Sequence, residues 1–537
     1  MQLSKLDGKQ QKSSYTLYLS QLLVKYVVVP GLIGAGVYAV DEIWYLSLLQ
    51  RSIRAVYGFL KIAYYYSYGK SSFDSTESLH QYAADELLKI LMKNKGIYIK
   101  LGQAIANQGS VFPIAFQRNF VKLYDDAAND EWESIDKMLK KNLGEDYEGE
   151  VFEYIDHKPF ASASIAQVHQ ARLKNGGDDV AVKIQHDYID KQIVVDLAVY
   201  RLISKIYEAA FGIPFTFFTR YISDQLMKET DFEHELQNAE GLRALIDSDS
   251  GLRNIYIPKN YQELSTKQVL ISEWINGVSL TDKQKLIDLG FSLGAIMNQY
   301  LKLFGKQIFE YGFVHSDPHP GNLLVRYVNG KQQLVILDHG LYIKLPEKFK
   351  IEYAQLWRYL FELNRNGIKE VGTKWGINSI DLFATMIQLK PTTSPDFNKM
   401  NDRRNANDLL FNFLSDERKF PLELLFLSRT MRMIQNLNQT FGSPVNRINV
   451  LTIEATNSLL KNTTNSNLIF WSKSLESWNL IKLKLVLFTS NLVFYFFRIK
   501  QILYGDRYGG KGEGIEDYIE HYMNNTARSL GLELEHK

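Results

Sequence analysis

The 537-residue chain has no cysteine. Disulfides, zinc–thiolate sites, iron–sulfur clusters and cysteine nucleophiles are therefore excluded together. It also lacks an excess of charge: 62 basic against 60 acidic residues leave +2. That balance gives no global pull towards nucleic acid, and no nucleic-acid partner is expected. Internal repeats and low-complexity stretches are missing too. What remains is ordinary globular material, 45% hydrophobic and 23% charged, long enough for one large bilobal unit or two to three smaller ones.

Long hydrophobic runs are scarce. Residues 26–40 are uncharged and mostly apolar, yet short of the ~20 residues a helix needs to cross a bilayer. Extension back through Leu17, Leu19, Leu22 and Leu23 reaches that length by including Lys25, which can snorkel to the interface from a helix end. A membrane span over 21–42 is the expectation, with a buried helix broken at Pro30-Gly31 as the alternative. Lys5, Lys9 and Lys12 precede the run while Asp41 and Glu42 follow it. That asymmetry would leave the N-terminus on the positive side and the large domain opposite. Residues 1–20 have no Arg and make a poor transit peptide. A second run, Leu485–Phe497, is bracketed by Lys482, Lys484, Arg498 and Lys500 and reads as an interfacial helix or a core helix. Aromatic residues, 13% of the chain, crowd these same two regions.

Between the runs the hydrophobic period changes along the chain. Residues 82–93 are spaced as a helix, 151–173 and 180–184 read as short strands, and 269–275 as a buried strand. Helical spacing covers 282–311, two short strands follow near 323–325 and 334–337, and helices dominate thereafter. Strands first and helices after, without βαβ alternation, predict an α+β fold in two lobes.

The chemistry concentrates in HSDPHPGN at 315–322. Asp317 and Asn322 stand five positions apart, the separation of the Asp and Asn in the kinase catalytic loop. Asp338-His339-Gly340 follows an apolar strand, in the place of D-F-G. Phosphoryl transfer needs a carboxylate near the nucleophile and hard oxygen ligands for Mg2+. Asp317 suits the first role; Asn322 and Asp338 suit the second. Upstream, VAVK at 180–183 offers Lys183 to the phosphates of ATP, with Glu235 to orient it. His315, Asp317 and His319 also invite a rival reading as metal-hydrolase ligands. That rival leaves Asn322, Asp338 and VAVK unexplained, whereas the kinase reading accounts for their order and spacing.

Two kinase features are missing. No G-x-G-x-x-G precedes VAVK; FASASIAQVH at 160–169 stands there, and Ala161, Ala163, Ser164 and Ala166 would approach the nucleotide without glycine's conformational freedom. After Gly340 the chain runs LYIKLPEKF straight into a helix, leaving little platform for a protein substrate. The adenine hinge is expected at Glu273 to Ile275, just after the buried strand.

At these motifs the sequence resembles the AarF/UbiB family of atypical kinases, linked to coenzyme Q and mitochondrial lipid biology. The resemblance is carried by Lys100-Leu101-Gly102-Gln103, by the loop ending Ser164-Ile165-Ala166-Gln167-Val168-His169, by Glu229-Thr230-Asp231 with Glu235 after it, and by HSDPHPGN. It implies a bilobal protein-kinase-like fold with an N-terminal helical extension that lays Lys100 and Gln103 over the active site. It also implies an ATP- and Mg2+-dependent ATPase or small-molecule kinase, not a general protein kinase. Glu229 and Asp231 would face the nucleotide or the Lys100 helix. The boundaries expected are a tail over 1–20, the span over 21–42, the extension over 80–130, an N-lobe over 150–275, a C-lobe over 276–445 and a helical region over 446–537. The form of residues 338–342 is most similar to mitochondrial inner-membrane members that act in lipid homeostasis and coenzyme Q distribution, so a membrane lipid or quinone partner is expected, with the large domain facing the intermembrane space. The competing class is a pseudokinase that uses ATP as a conformational switch.

Overall fold

The computed structural model describes residues 29–44, 46–106, 113–124, 129–174, 176–211, 215–362, 364–377, 419–464 and 470–504. Five helices open it: α1 (Val29–Trp44), α2 (Leu48–Ser67), α3 (Thr76–Asn94), α4 (Ile97–Ala106) and α5 (Ile114–Phe120). α3 is started by a capping box in which Ser75 and Ser78 exchange side-chain-to-backbone bonds. It buries Ala83, Ala84, Leu87, Leu88 and Leu91, the helical period read from the sequence. Residues 21–28 of the expected span lie outside the described residues. α1 has 16 residues, roughly 24 Å of helix against a ~30 Å hydrocarbon core. Among the described residues no helix is long and apolar enough to cross a membrane.

α6 (Trp132–Leu143) leads into an antiparallel five-stranded sheet: β1 (Phe152–Ile155), β2 (Ala161–Ser162), β3 (Ala166–Leu173), β4 (Asp179–Gln185) and β6 (Val269–Glu273), in the order β1-β3-β4-β6 with β2 on β3. The two-residue period of β4 fixes its faces. Val180, Val182 and Ile184 are fully buried against α6 residues Ile135, Met138 and Leu139, so Lys183 points the other way, into the cleft. Between β4 and β6 come α7 (Ile189–Phe211), α8 (Phe215–Glu229), α9 (Phe232–Asp247) and the short β5 (Ile255–Tyr256). α2 to α5 pack with α7 around a separate core that includes Leu91, Tyr98 and Phe120.

The larger lobe begins at β7 (Val278–Ser279), α10 (Lys283–Asp288) and α11 (Leu293–Lys306). β8 (Phe313–His315) precedes the HSDPHPGN loop, and β9 (Leu323–Val328) and β10 (Lys331–Ile336) form a hairpin after it. Asn329 and Gly330 both turn with positive φ (50° and 73°), the two-residue turn that matches strand twist. β11 (Tyr342–Lys344) pairs with β8, setting Tyr342 opposite His315. That pairing joins the chain just before HSDPHPGN to the chain just after Asp338-His339-Gly340. α12 (Glu347–Phe361) starts directly after Pro346, so the segment beyond Gly340 is short, as the sequence predicts. α13 (Arg365–Lys374), α14 (Glu423–Thr440), α15 (Arg447–Thr464) and α16 (Phe470–Tyr504) complete the lobe around Trp357, Phe309 and Tyr353. The result is the α+β, two-lobed kinase-like arrangement.

Candidate active site

Strand β4 and helix α9 bring the first pair together. Lys183 Nζ donates to both carboxylate oxygens of Glu235, at 2.8 and 2.7 Å. Glu235 is 2% exposed, and its burial pushes its pKa up to about 6 against the pull of Lys183. Burial works against the charge of Lys183 as well, but Asp338 and Glu235 more than offset it and its pKa is raised. Asp338 Oδ1 lies 3.9 Å from Lys183 Nζ. The Asp338 carboxylate resists its own burial through Lys183, Lys100 and a bond from Gly340 N (2.9 Å), which hold it well below the usual carboxylate range.

The catalytic-loop residues sit alongside. Asn322 Nδ2 donates to Asp338 Oδ2 at 3.3 Å, so an amide and a carboxylate meet across the loop. With its amide turned to present oxygen, this donor set fits Mg2+, a hard cation that takes one or two protein ligands and completes its shell with water and phosphate. Asp317 is clasped by Arg429, whose guanidinium donates to Oδ1 at 3.0 Å. Burial opposes the Asp317 charge, yet Arg429 and then Lys100 outweigh it, and its pKa is lowered.

The metal-hydrolase reading of His315, Asp317 and His319 does not survive the geometry. His315 Nδ1 accepts from Asp317 N (3.3 Å) and His319 Nδ1 accepts from Gly321 N (3.1 Å), so both rings shape the loop. Among the described residues no three His, Cys, Asp or Glu side chains are grouped to hold a metal ion. His339, where phenylalanine is commonest, is fastened by polar bonds: its rings nitrogens meet Tyr342 Oη at 2.9 Å and Ile336 O at 3.2 Å. Its burial drives the pKa down to about 3, so it works as a neutral hydrogen-bonding wedge stacked with His315 and Tyr342.

Helix α4 reaches the cleft through one residue of its signature. Lys100 forms an ion pair with Glu229 at the end of α8, both side chains largely shielded from water. Asp317 and Asp338 also lie close enough to stabilise the Lys100 charge, whose pKa is raised despite burial. Gln103 Nε2 instead donates to Leu123 O at 3.0 Å, so this residue ties α4 to the following 3-10 turn. Gly102 explains the glycine between them. A Cβ there would come within 2.2 Å of Leu123 Cδ1 and 2.7 Å of Leu91 Cδ1.

The glycine-free loop needs no glycine. Its turn is closed by Ala163 N donating to Ala166 O (2.8 Å), and none of its residues has positive φ. Ala161 lies opposite Val168 in the β2–β3 ladder, and Ala166 is buried at the start of β3. Ser164 Oγ is buried with no hydrogen-bond partner among the described residues. At the hinge, the Glu273 carboxylate accepts from Tyr256 Oη (2.5 Å) and Lys259 N (3.2 Å), so it braces the lobe junction by its side chain. Ile275 is buried beside it.

With this geometry in place, comparison with known proteins decides the family. The ABC1 atypical kinase-like domain matches residues 122–372. The ABC1 family protein C10F6.14c of Schizosaccharomyces pombe is 39% identical over 446 residues, covering 80% of this chain and 82% of its own. The ABC1 family protein lscO of Purpureocillium lilacinum is 33% identical, covering 92% of this chain and 89% of its own. The chain belongs to the ABC1 family. AarF domain-containing kinase 1 of Drosophila melanogaster is a further relative, 30% identical over 75% of this chain and 82% of its own.

Beside Gln103, one more predicted residue of this ABC1 protein takes a different role, and one site residue is not predicted by the sequence. Asp231 is the N-cap of α9: its carboxylate accepts from Glu233 N at 3.1 Å and lies 4.0 Å from Lys267 Nζ. A short polar side chain at a helix start does this by default, and here it fixes the helix that carries Glu235. The residue missed from sequence is Arg429. It lies 112 positions beyond Asp317 in an unremarkable amphipathic helix, and no spacing rule links the two. Thr430 Oγ1 donates to Ser316 O (3.3 Å), so α14 backs the loop at two successive residues.

Proposed function

We propose that this ABC1-family protein binds Mg-ATP between its lobes and works as an ATPase or small-molecule kinase. One observation supports the reading above the others. Lys183 is held by Glu235 on one side and stands 3.9 Å from Asp338 on the other, which in turn meets Asn322. Lys183 would position phosphate oxygens, with Ser164 Oγ and the 163–166 turn covering them. Asp338 and Asn322 would hold Mg2+, which supplies charge neutralisation of the phosphates when bound. Asp317, kept ionised by Arg429, would accept the proton of the incoming hydroxyl or water. The short connection after Gly340 and the Lys100 helix crowd the surface where a peptide would lie, which favours a small acceptor. From the family resemblance we extend the reading to lipid and coenzyme Q homeostasis at the mitochondrial inner membrane, with a lipid or quinone as partner.

A second reading is favoured by the Lys100–Glu229 pair, which holds the Lys100 helix at the cleft, and by the Arg429 clasp, which engages Asp317 with an internal cation, as suits a switch that binds ATP with little turnover. Phosphate release by purified protein separates the two. The assay compares wild type, Asp317→Asn and Asp338→Asn, with Mg2+, with and without vesicles carrying anionic lipid and quinone analogues. Turnover lost in both variants is the expected result. ATP binding without turnover under every condition would move the conclusion to the switch.

A further inference from the structure

The last described helix carries apolar residues on two sides. α16 buries Leu483 and Phe494 and is seated beside them through polar contacts: Asn449 Nδ2 donates to Leu487 O (2.9 Å) and Asn491 Oδ1 (2.7 Å), and Asn446 Nδ2 donates to Ser490 Oγ (3.2 Å). Arg498 and Gln501 both donate to Gly442 O, at 3.1 and 2.9 Å. These bonds fix its rotation. They leave Leu485, Phe488, Leu492, Tyr495, Phe496 and Ile499 facing outward, each between 54% and 66% exposed. At 3.6 residues per turn these six fall within roughly a third of the helix circumference. Ile481 and Leu503 extend the same stripe to roughly 33 Å. A helix on a water-soluble surface turns its apolar stripe to the core, and an exposed patch of this extent marks an interaction site.

The charges choose the occupant. Residues 481–504 include Lys482, Lys484, Arg498 and Lys500 and no acidic residue. Lys484 and Lys500 are exposed, on opposite margins of the stripe. A second copy of the helix would set lysine against lysine with no carboxylate to answer it. Val486 and Val493, also exposed, widen the apolar arc beyond a two-helix seam. An anionic bilayer surface supplies both the negative charge and the apolar phase, and the bonds to Gly442, Asn446 and Asn449 keep the helix lying flat instead of crossing. We propose that the outward face of α16 docks in the plane of an anionic lipid surface, holding the kinase-like lobes against it. This deepens the lipid part of the proposed function and is independent of the nucleotide chemistry, so vesicle binding and ATP turnover fail separately.

The absence of cysteine makes the test direct. Full-length Leu492→Cys carries a single environment-sensitive fluorophore and is titrated with phosphatidylcholine vesicles, with and without phosphatidylglycerol. The expected result is water-like emission in buffer, a blue shift with the anionic vesicles, and quenching by doxyl-labelled lipid. Phe488→Glu with Phe496→Glu should weaken vesicle binding by at least about tenfold, since charge enters the interface, while ATP binding stays unchanged and reports an intact fold. Equal response to neutral vesicles overturns the charge argument, and no response to either overturns the proposal. Blue-shifted emission already present in buffer also overturns it: dependence on protein concentration would identify a second copy, independence would identify residues 505–537 of the same chain.

Discussion

Glu235 offers the sharpest test of the site, because its pKa of about 6 lies inside the working pH range. The Lys183–Glu235 contact is a doubly bonded pair while the carboxyl is ionised, and protonation removes one of its acceptors. ATP affinity should therefore be level above about pH 7 and fall below about pH 6, approaching a tenfold loss per pH unit for a single essential proton. The stability consequence has the opposite sign. The folded pKa lies above the ordinary 4.5, so this group's contribution is fully present below about 4.5 and lost as pH rises through about 6. Roughly 1.5 units at ~1.4 kcal/mol each make that contribution about 2 kcal/mol. Glu235→Gln removes the proton: affinity should be low and flat with pH. The stability difference between wild type and variant should change by about 2 kcal/mol between pH 4.5 and 7. Fluorescent-nucleotide titration and urea unfolding across that range measure both. A fall in affinity near pH 6 that persists in Glu235→Gln would refute the assignment, as would a stability difference that is flat with pH.

Three further outcomes follow from single contacts. Arg429→Met should destabilise the protein by about 1–3 kcal/mol at pH 7, where the ionised Asp317 loses its partner. Because Arg429 lowers the Asp317 pKa, that contribution is lost as pH falls through the lowered value, so the variant and wild type should converge in acid unfolding; parallel curves would mean Arg429 acts by packing alone. Ser164→Ala should leave the nucleotide-free protein as stable or up to ~1 kcal/mol more stable, since it removes an unpartnered buried hydroxyl, while weakening ATP binding several-fold. Loss of stability with unchanged affinity in calorimetry would count against a phosphate contact. Gly102→Ala should lower stability by roughly 1–3 kcal/mol, because the methyl meets Leu123 and Leu91 in a packed seam. An unshifted thermal melt would show that those leucine ends move aside at no cost.

Legibility differed by the kind of constraint. Asp317, Asn322, Asp338 and Lys183 could be read because each sits in a short segment whose spacing the chemistry dictates. Their pairing in space then follows from β4 and from the β8–β11 ladder. The strand pattern of β4 was equally plain, since alternate Val180, Val182 and Ile184 leave Lys183 one face. The capping role of Asp231 is not legible, because the same residue type serves ligand binding and helix capping and sequence shows no difference between them. The bond of Gln103 is equally hidden from sequence: three positions along a helix place it on the same side as Lys100, but its amide donates to Leu123 O. An apolar run at 485–497 is legible, but the helix that carries it extends over Phe470–Tyr504, and neither its bounds nor the side that faces the protein is legible.

That last gap shows where sequence patterns stop. Residues 485–497 are apolar on both sides of α16, so period alone does not say which side is buried. The partners that decide it include Gly442, Asn446 and Asn449, which lie 38 or more residues away and bond to the inner side beside Leu483 and Phe494. Arg429 teaches the same lesson at the catalytic loop, where a cation from α14 sets the charge state of a residue whose own motif contains no arginine. In both places the functional property belongs to a contact between segments and not to either segment. It follows that substitutions at Asn449 or Arg429 should change how the outward face of α16 or the Asp317 carboxylate is presented while leaving every recognisable motif intact.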